Sequence, residues 1–109
     1  MKDSFFRALS SPCRRRMIQL LCWRSMNVNE IVRHFHISQP SISRHLDILK
    51  RAGLVVAERR SNQMIYSVNK VRLQEGIIYL SELVETPIDA VLKRPLGEGE
   101  TVSAEGLEG

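Results

Sequence analysis

The stretch SQPSISRHLDILKRAGLV, residues 38–55, decides the fold because it runs from a polar helix start through an apolar stripe to a glycine stop. Ser38 is a favoured helix N-cap residue, and Gly53 suits the left-handed conformation that often follows a helix. The apolar residues between them have the i, i+4, i+7 spacing of one buried helix face, at Ile42, Leu46 and Leu49. The stretch therefore predicts a helix whose exposed start is rich in hydrogen-bonding groups.

A second short helix precedes this one. Asn27 followed by Glu30 has the spacing of a capping box and predicts a helix that runs through Phe35 and ends near His36. Only His36 and Ile37 then lie between Phe35 and Ser38. Two short helices joined this tightly are typical of a helix-turn-helix.

The flanking sequence completes a recognisable order of elements. Helices are predicted over 3–10 and 12–23 before the pair, and over 71–85 after it. Residues 54–60 and 63–69 predict two strands joined at Ser61-Asn62 as a β-hairpin. The expected fold class is mainly α with a small β-hairpin (α+β), a winged helix-turn-helix spanning residues 1–85. Residues 86–109 are rich in Pro, Gly and Glu and predict a flexible acidic tail.

Charge is unevenly distributed along the chain. Residues 1–70 hold 13 Lys or Arg against 4 Asp or Glu, net +9, whereas residues 71–109 hold 3 against 8, net −5. A basic surface binds phosphate backbones through counterion release, so double-stranded DNA is the leading partner and an anionic membrane surface the weaker one. The sequence has no apolar run long enough to span a membrane and no signal-peptide pattern, so we expect a cytoplasmic protein.

The polar start of the 38–53 helix suits contact with base edges in the major groove. Gln39 can bond adenine and Arg44 can bond guanine. Asp47 can accept from a cytosine amino group or pair with Arg51, and the pairing is favoured. The predicted DNA-binding residues of this helix are Ser38, Gln39, Pro40, Ser41, Ser43, Arg44 and His45. The predicted DNA-binding residues of the hairpin are Arg59, Arg60, Asn62 and Gln63.

Three segments resemble the ArsR/SmtB family of bacterial repressors: FRALSSPCRRRMIQLL at 6–21, ISQPSISRHLDILKRAGLV at 37–55 and IYSVN at 65–69. The resemblance implies a homodimer that binds a palindromic operator and represses transcription. It also implies an interface formed by the first and last helices, with Phe5, Phe6, Leu73, Ile77, Leu80 and Val84 as its residues. Family members usually have glycine at the position of Ser61, so we expect Asn62 to adopt the left-handed conformation of the hairpin turn.

The metal sites of the family have no counterpart here. Its Cys-Val-Cys metal motif falls on Asn27-Val28-Asn29, so both thiolate ligands are absent. The other common metal site of the family needs Asp and His on the last helix, and residues 71–85 contain neither. The three histidines, His34, His36 and His45, are expected to be surface or phosphate-contacting residues rather than ligands. We therefore expect no metal and no cofactor, a pattern most similar to metal-independent members such as the SdpR-like autorepressors.

Alternatives remain open at this point. Cys13 lies at a helix start beside Arg14, Arg15 and Arg16. This position favours a thiolate, which makes Cys13 a candidate for redox sensing. The alternative is a packed, inert Cys13. Cys22 is interpreted as a core residue. The apolar last helix and acidic tail could instead form a protein-interaction module, with a regulatory partner protein. No nucleophile, base and orienting residue form a catalytic motif, so an enzyme is not expected.

Overall fold

The computed structural model describes residues 2–93, which fall into two compact units that divide after Ile78. The helices are α1 (Lys2–Leu9), α2 (Pro12–Trp23), α3 (Val28–Val32), α4 (Gln39–Arg51), α5 (Lys70–Glu85) and α6 (Ile88–Lys93). The strands are β1 (Met26–Asn27), β2 (Val55–Arg60) and β3 (Gln63–Val68). The order of helices and hairpin confirms the predicted winged helix-turn-helix. Among these residues no helix has the length and apolar character needed to cross a bilayer.

Helix α4 begins and ends as its sequence predicts. The hydroxyl of Ser38 accepts a hydrogen bond from the backbone N–H of Ser41 at 3.4 Å, which caps the first turn. At the other end Gly53 has a φ of 77°, and its N–H donates to the carbonyl of Lys50 at 3.0 Å. The N–H of Leu54 donates to the carbonyl of Leu49, also at 3.0 Å. These two bonds form a Schellman motif, which turns the chain sharply into β2.

Helix α3 has the predicted start and an earlier end. Asn27 and Glu30 form a complete capping box, with the Glu30 N–H donating to Asn27 Oδ1 at 2.9 Å. The predicted end near His36 is wrong, because the helix ends at Val32 and the chain tightens into i to i−3 bonds. The last of these joins the N–H of Phe35 to the carbonyl of Val32 at 3.1 Å.

The sheet is antiparallel and has the strand order β1-β3-β2. Strand β1 pairs Met26 with Tyr66 and was not predicted, because two residues are too short to display an alternating pattern. The prediction for the hairpin turn is also wrong in detail. Ser61, not Asn62, has the positive φ, 56°. A positive φ at the first turn residue is the type II′ pattern, a position that favours glycine.

The hydrophobic core lies where α2, α4 and the sheet meet. Its largest fully buried side chains are Met17, Met26, Ile31, Ile42, Leu46, Leu49, Leu54 and Val55. The apolar stripe of α4 belongs to this group, with at most 1% of each residue exposed. The core therefore fixes the rotation of α4 about its own axis and determines which of its side chains remain outside.

Helix α1 approaches α5 closely through one aromatic ring. Phe5 is 3% exposed and contacts Phe6 edge to face, with ring centroids 4.9 Å apart. A Cβ at Gly76 of α5 would lie 2.6 Å from Cε1 of Phe5 and closer still to Cζ. The absent side chain of Gly76 thus makes the space that the Phe5 ring occupies.

The segment predicted as a flexible tail, 86–109, begins with helix α6. Its residues 94–109 lie outside the described part of the chain. The predicted domain boundary after residue 85 therefore stays a prediction.

We expect Gly76→Ala to lower the free energy of unfolding by about 1 kcal/mol, because overpacking costs about 1–3 kcal/mol whereas the gain in helix propensity is about 1 kcal/mol. Urea unfolding followed by circular dichroism measures this. Gln74→Ala is the control, since Gln74 is exposed on the same helix. Equal stability of the two variants would contradict the close contact with Phe5.

Candidate nucleic-acid interface

The exposed face of α4 carries the residues that the sequence predicts to read bases. Gln39, Ser43 and Arg44 are exposed, while the apolar stripe of the same helix is buried. Pro40 is also exposed and occupies the first turn, where a missing N–H costs no intrahelical bond. The structure thus places the three polar residues where a ligand outside the protein can contact them.

The two hydroxyls at the start of α4 interact with each other. Ser38 Oγ donates to Ser41 Oγ at 3.1 Å while it accepts the capping bond from the Ser41 N–H. Ser41 is half-buried. These two predicted DNA-binding residues therefore also hold the first turn of α4 in shape.

Asp47 forms an ion pair with Arg51, with Asp47 Oδ2 3.0 Å from Arg51 Nε. This confirms the prediction that it pairs within the helix at i, i+4. Both side chains are more than half exposed, so the pair contributes little to stability. Its consequence is local, since the negative charge of Asp47 is balanced on the helix itself.

His45 is half-buried and contacts α2. Its Nδ1 lies 3.1 Å from Nη1 of Arg14. Burial lowers the pKa of His45 below its ordinary value, and the nearby charges of Arg14 and Arg44 lower it further. Both effects favour the neutral form of the ring.

The basic cluster at the start of α2 serves the end of α1. Arg14 Nε donates to the carbonyl of Ala8 at 2.6 Å, and Arg14 Nη2 donates to the carbonyl of Arg7 at 3.2 Å. Arg15 Nη1 donates to the carbonyl of Leu9 at 2.8 Å. These carbonyls belong to the last turn of a helix, where cations are favoured. Sequence reasoning missed this role, because the carbonyls that the arginines bind belong to another helix.

The hairpin carries exposed cations and one tethered amide. Arg59 and Arg60 are exposed, and Arg60 Nε lies 3.5 Å from Glu58 Oε1. Asn62 is exposed at the turn. Gln63 Oε1 accepts a hydrogen bond from Asn27 Nδ2 at 3.2 Å, which ties the hairpin to the start of α3. The predicted contact residue Gln63 therefore also positions the wing.

Asn27-Val28-Asn29 stand at the family's Cys-Val-Cys positions, and the first of them has a structural role in this chain. Asn27 caps α3 and holds Gln63, so its amide is engaged on both sides. Glu30 of the capping box pairs with Arg24 at 2.9 Å. The Asn27 N–H and Arg24 together hold the pKa of Glu30 below its ordinary value. In the described residues no three His, Cys, Asp or Glu side chains form a group that could hold a metal ion.

The two cysteines differ in environment. Cys13 is half-buried and packs against the core, and Cys22 is exposed. The interpretation of Cys22 as a core residue is therefore wrong, because it lies off the buried face of α2 formed by Met17, Ile18 and Leu21. Trp23 beside it is 71% exposed and has the Arg24 guanidinium 5.4 Å from its ring centroid.

Known proteins share this arrangement. A family profile described as "Bacterial regulatory protein, arsR family" matches residues 11–56. The transcriptional repressor SdpR of Bacillus subtilis is 38% identical over 82 residues, which cover 75% of this chain and 91% of SdpR. The chain belongs to the ArsR family. A probable mercury resistance operon repressor of Streptomyces lividans is 35% identical to this ArsR-family chain over 99 residues, covering 88% of this chain and 78% of that protein.

The fold agrees with this assignment. A crystal structure of an ArsR family transcriptional regulator superposes with a TM-score of 0.71 at 23% identity, covering 76% of this chain and 91% of that one. The resemblance noted from the sequence is confirmed. The protein is a DNA-binding transcriptional repressor of the ArsR family.

Proposed function

We propose that the chain acts in the cytoplasm as a homodimer that represses transcription from a palindromic operator and does not sense metal. The observation that carries the proposal is the exposed polar start of α4, held outward by a fully buried apolar stripe. A helix of this kind, followed by a cationic hairpin, suits major-groove reading by the helix and phosphate or minor-groove contact by the wing.

The two kinds of contact assign different roles to the arginines. Arg44, exposed in the second turn of α4, has the donor pair that fits guanine O6 and N7. Arg59 and Arg60 lie at the far end of the hairpin, where a cation contributes to affinity without reading a base. Arg60 forms an exposed ion pair with Glu58. Because such a pair is weak, Arg60 can leave it to contact phosphate.

We expect Arg44→Ala to lower affinity for a duplex selected by the wild type by about 1–3 kcal/mol and to relax preference at one position of each half-site. Arg60→Ala should weaken selected and random duplexes alike and reduce the salt slope by about one. Fluorescence anisotropy at several salt concentrations measures both. The control is Arg16→Ala, which removes an exposed charge from α2. Equal loss on selected and random DNA for Arg44→Ala would refute its reading role.

The dimer is supported by the apolar surface of α5. Ile77 and Val84 are 63% and 85% exposed, and Leu80 is nearly half exposed. Apolar residues this exposed along one helix mark an interaction surface. Leu73 and Phe6 are partly buried against the core, and Phe5 is buried in its own chain. We therefore assign Phe5 to backing the interface rather than to touching the second subunit.

We expect Ile77→Glu to separate the subunits, because a carboxylate in an apolar interface costs several kcal/mol unless the site opens. Sedimentation velocity at micromolar concentration measures the change, and affinity for the selected duplex should fall with it. Gln74→Glu is the matched control, since it adds the same charge to an exposed position of α5. A dimeric Ile77→Glu would place the interface elsewhere. A monomeric wild type would favour a surface for a different protein.

Metal independence is supported by the chemistry of the residues at the family's thiolate positions. Asn27 and Asn29 offer neutral amides, which are poor ligands for zinc or for softer ions, and Asn27 is already hydrogen-bonded to Gln63. A metal would have to displace that bond without gaining a charged ligand. One relative is a probable mercury resistance operon repressor, so the competing hypothesis is that a metal ion releases this chain from DNA. A metal titration distinguishes the two.

We expect binding to the selected duplex to survive stoichiometric zinc, cadmium or arsenite in a reduced sample freed of metal. Anisotropy with each ion measures this, and an Asn27→Cys/Asn29→Cys variant tests whether restored thiolates create sensitivity. Release of wild-type protein by a stoichiometric ion would contradict metal independence. Release by peroxide that is lost in Cys13→Ser would instead support the redox alternative.

A further inference from the structure

The Arg14 side chain joins two helices that are far apart in the sequence. Its Nε and Nη2 donate to the carbonyls of Ala8 and Arg7 at 2.6 and 3.2 Å, and its Nη1 lies 3.1 Å from Nδ1 of His45. All three nitrogens of the guanidinium therefore have partners inside the chain. The contacts connect the carboxyl end of α1 to the middle of α4.

The direction of the contact with His45 follows from chemistry. A guanidinium has donors only, so Nδ1 of His45 must accept and cannot carry a proton. In the neutral ring the proton is then on Nε2, which is left as a donor. His45 directly follows Arg44 in α4. The contact thus fixes both the tautomer and the ring orientation of a residue adjacent to the one assigned to reading guanine.

We propose that Arg14 is a positioning residue for operator recognition, which acts by holding His45, and with it α4, against the end of α1. This inference rests on the proposed role of α4 as the reading helix. Because α1 packs on Gly76 of α5 through Phe5, the same side chain also links the recognition helix to the helices assigned to dimerisation. Arg14 itself need not touch DNA.

The neighbouring arginine provides an internal comparison. Arg15 also donates to the end of α1, at the Leu9 carbonyl, 2.8 Å away. Arg14 and Arg15 therefore share charge, helix and the capping of α1. They differ in the contact with His45 and in the number of α1 carbonyls they bind, two for Arg14 and one for Arg15. Lysine could supply the charge of Arg14 but not the fixed fork that reaches Ala8, Arg7 and His45 together.

A positioning role affects discrimination more than total affinity. The electrostatic attraction between the protein and random DNA depends on charge and is lost equally when either arginine is removed. Recognition of a selected sequence depends in addition on the orientation of the side chains that meet base edges. Loss of Arg14 should therefore reduce the ratio of selected to random binding, whereas loss of Arg15 should leave that ratio unchanged.

The experiment compares Arg14→Ala, Arg14→Lys and Arg15→Ala on a duplex selected by the wild type and on a random duplex. We expect both Arg14 variants to lose about tenfold in the ratio, near the lower end of the discrimination that one base contact supplies, and Arg15→Ala to keep the wild-type ratio. His45→Phe should lose a similar factor, and His45→Asn, whose amide oxygen can replace Nδ1, should recover part of it. Arg14→Ala combined with His45→Phe should lose no more than either change alone.

A histidine titration by NMR gives a readout that general destabilisation would not produce. Removing Arg14 takes away a repulsive charge, so the pKa of His45 should rise toward its ordinary value in Arg14→Ala and stay lowered in Arg15→Ala. If an Arg14 variant fails to fold, the ratios of selected to random binding of His45→Phe and His45→Asn still test the inference.

Two outcomes would overturn the inference: equal ratios for the Arg14 and Arg15 variants, or a wild-type ratio in His45→Phe. Arg44→Ala in the same series separates this from failure of the proposed function. If Arg44→Ala keeps the wild-type preference, α4 does not read the operator. If Arg44→Ala loses it while the Arg14 variants do not, only the positioning role of Arg14 is wrong.

Discussion

Burial of the apolar stripe of α4 is the constraint on which the rest of the site depends. Successive residues of a helix are about 100° apart, so fixing Ile42, Leu46 and Leu49 in the core fixes the direction of every other side chain of α4. Gln39, Ser43 and Arg44 are exposed for that reason. The Ser38 cap and the Schellman motif at Gly53 set the two ends. The polar face is thus a product of core packing and not of local polarity alone.

The caps of α3 and α4 and the end of α4 could be predicted from the sequence because their causes are local. The capping residues act on backbone groups only a few residues away, as seen at Ser38, Gly53 and the pair Asn27 and Glu30. Their spacing in the sequence therefore predicts where the helix begins or ends. The apolar periodicity of α4 identified its buried face in the same way. The charge distribution indicated DNA as the partner, and the family resemblance added the expectation of a homodimeric repressor.

The features that sequence reasoning missed depend on residues far apart in the chain. Strand β1 forms because Met26 pairs with Tyr66, and a strand of two residues is too short to be predicted from its own sequence. The contact between Arg14 and His45 spans 31 positions. The apolar neighbours of Cys22 in the sequence favour a core position, whereas the residue lies just off the buried face of α2 and is exposed. Ser61 adopts its positive φ because the two-residue turn requires it there, whichever residue is present.

The close approach of Phe5 to Gly76 also limits how this sequence can drift. The space beside α5 is filled by an aromatic ring from α1, so a side chain gained at 76 requires ring atoms to be lost at 5. A change at either position alone creates overlap or a void, and an intermediate sequence carries that penalty until the second change arrives. The two positions should therefore vary as a pair among descendants of this chain, although they are 71 positions apart.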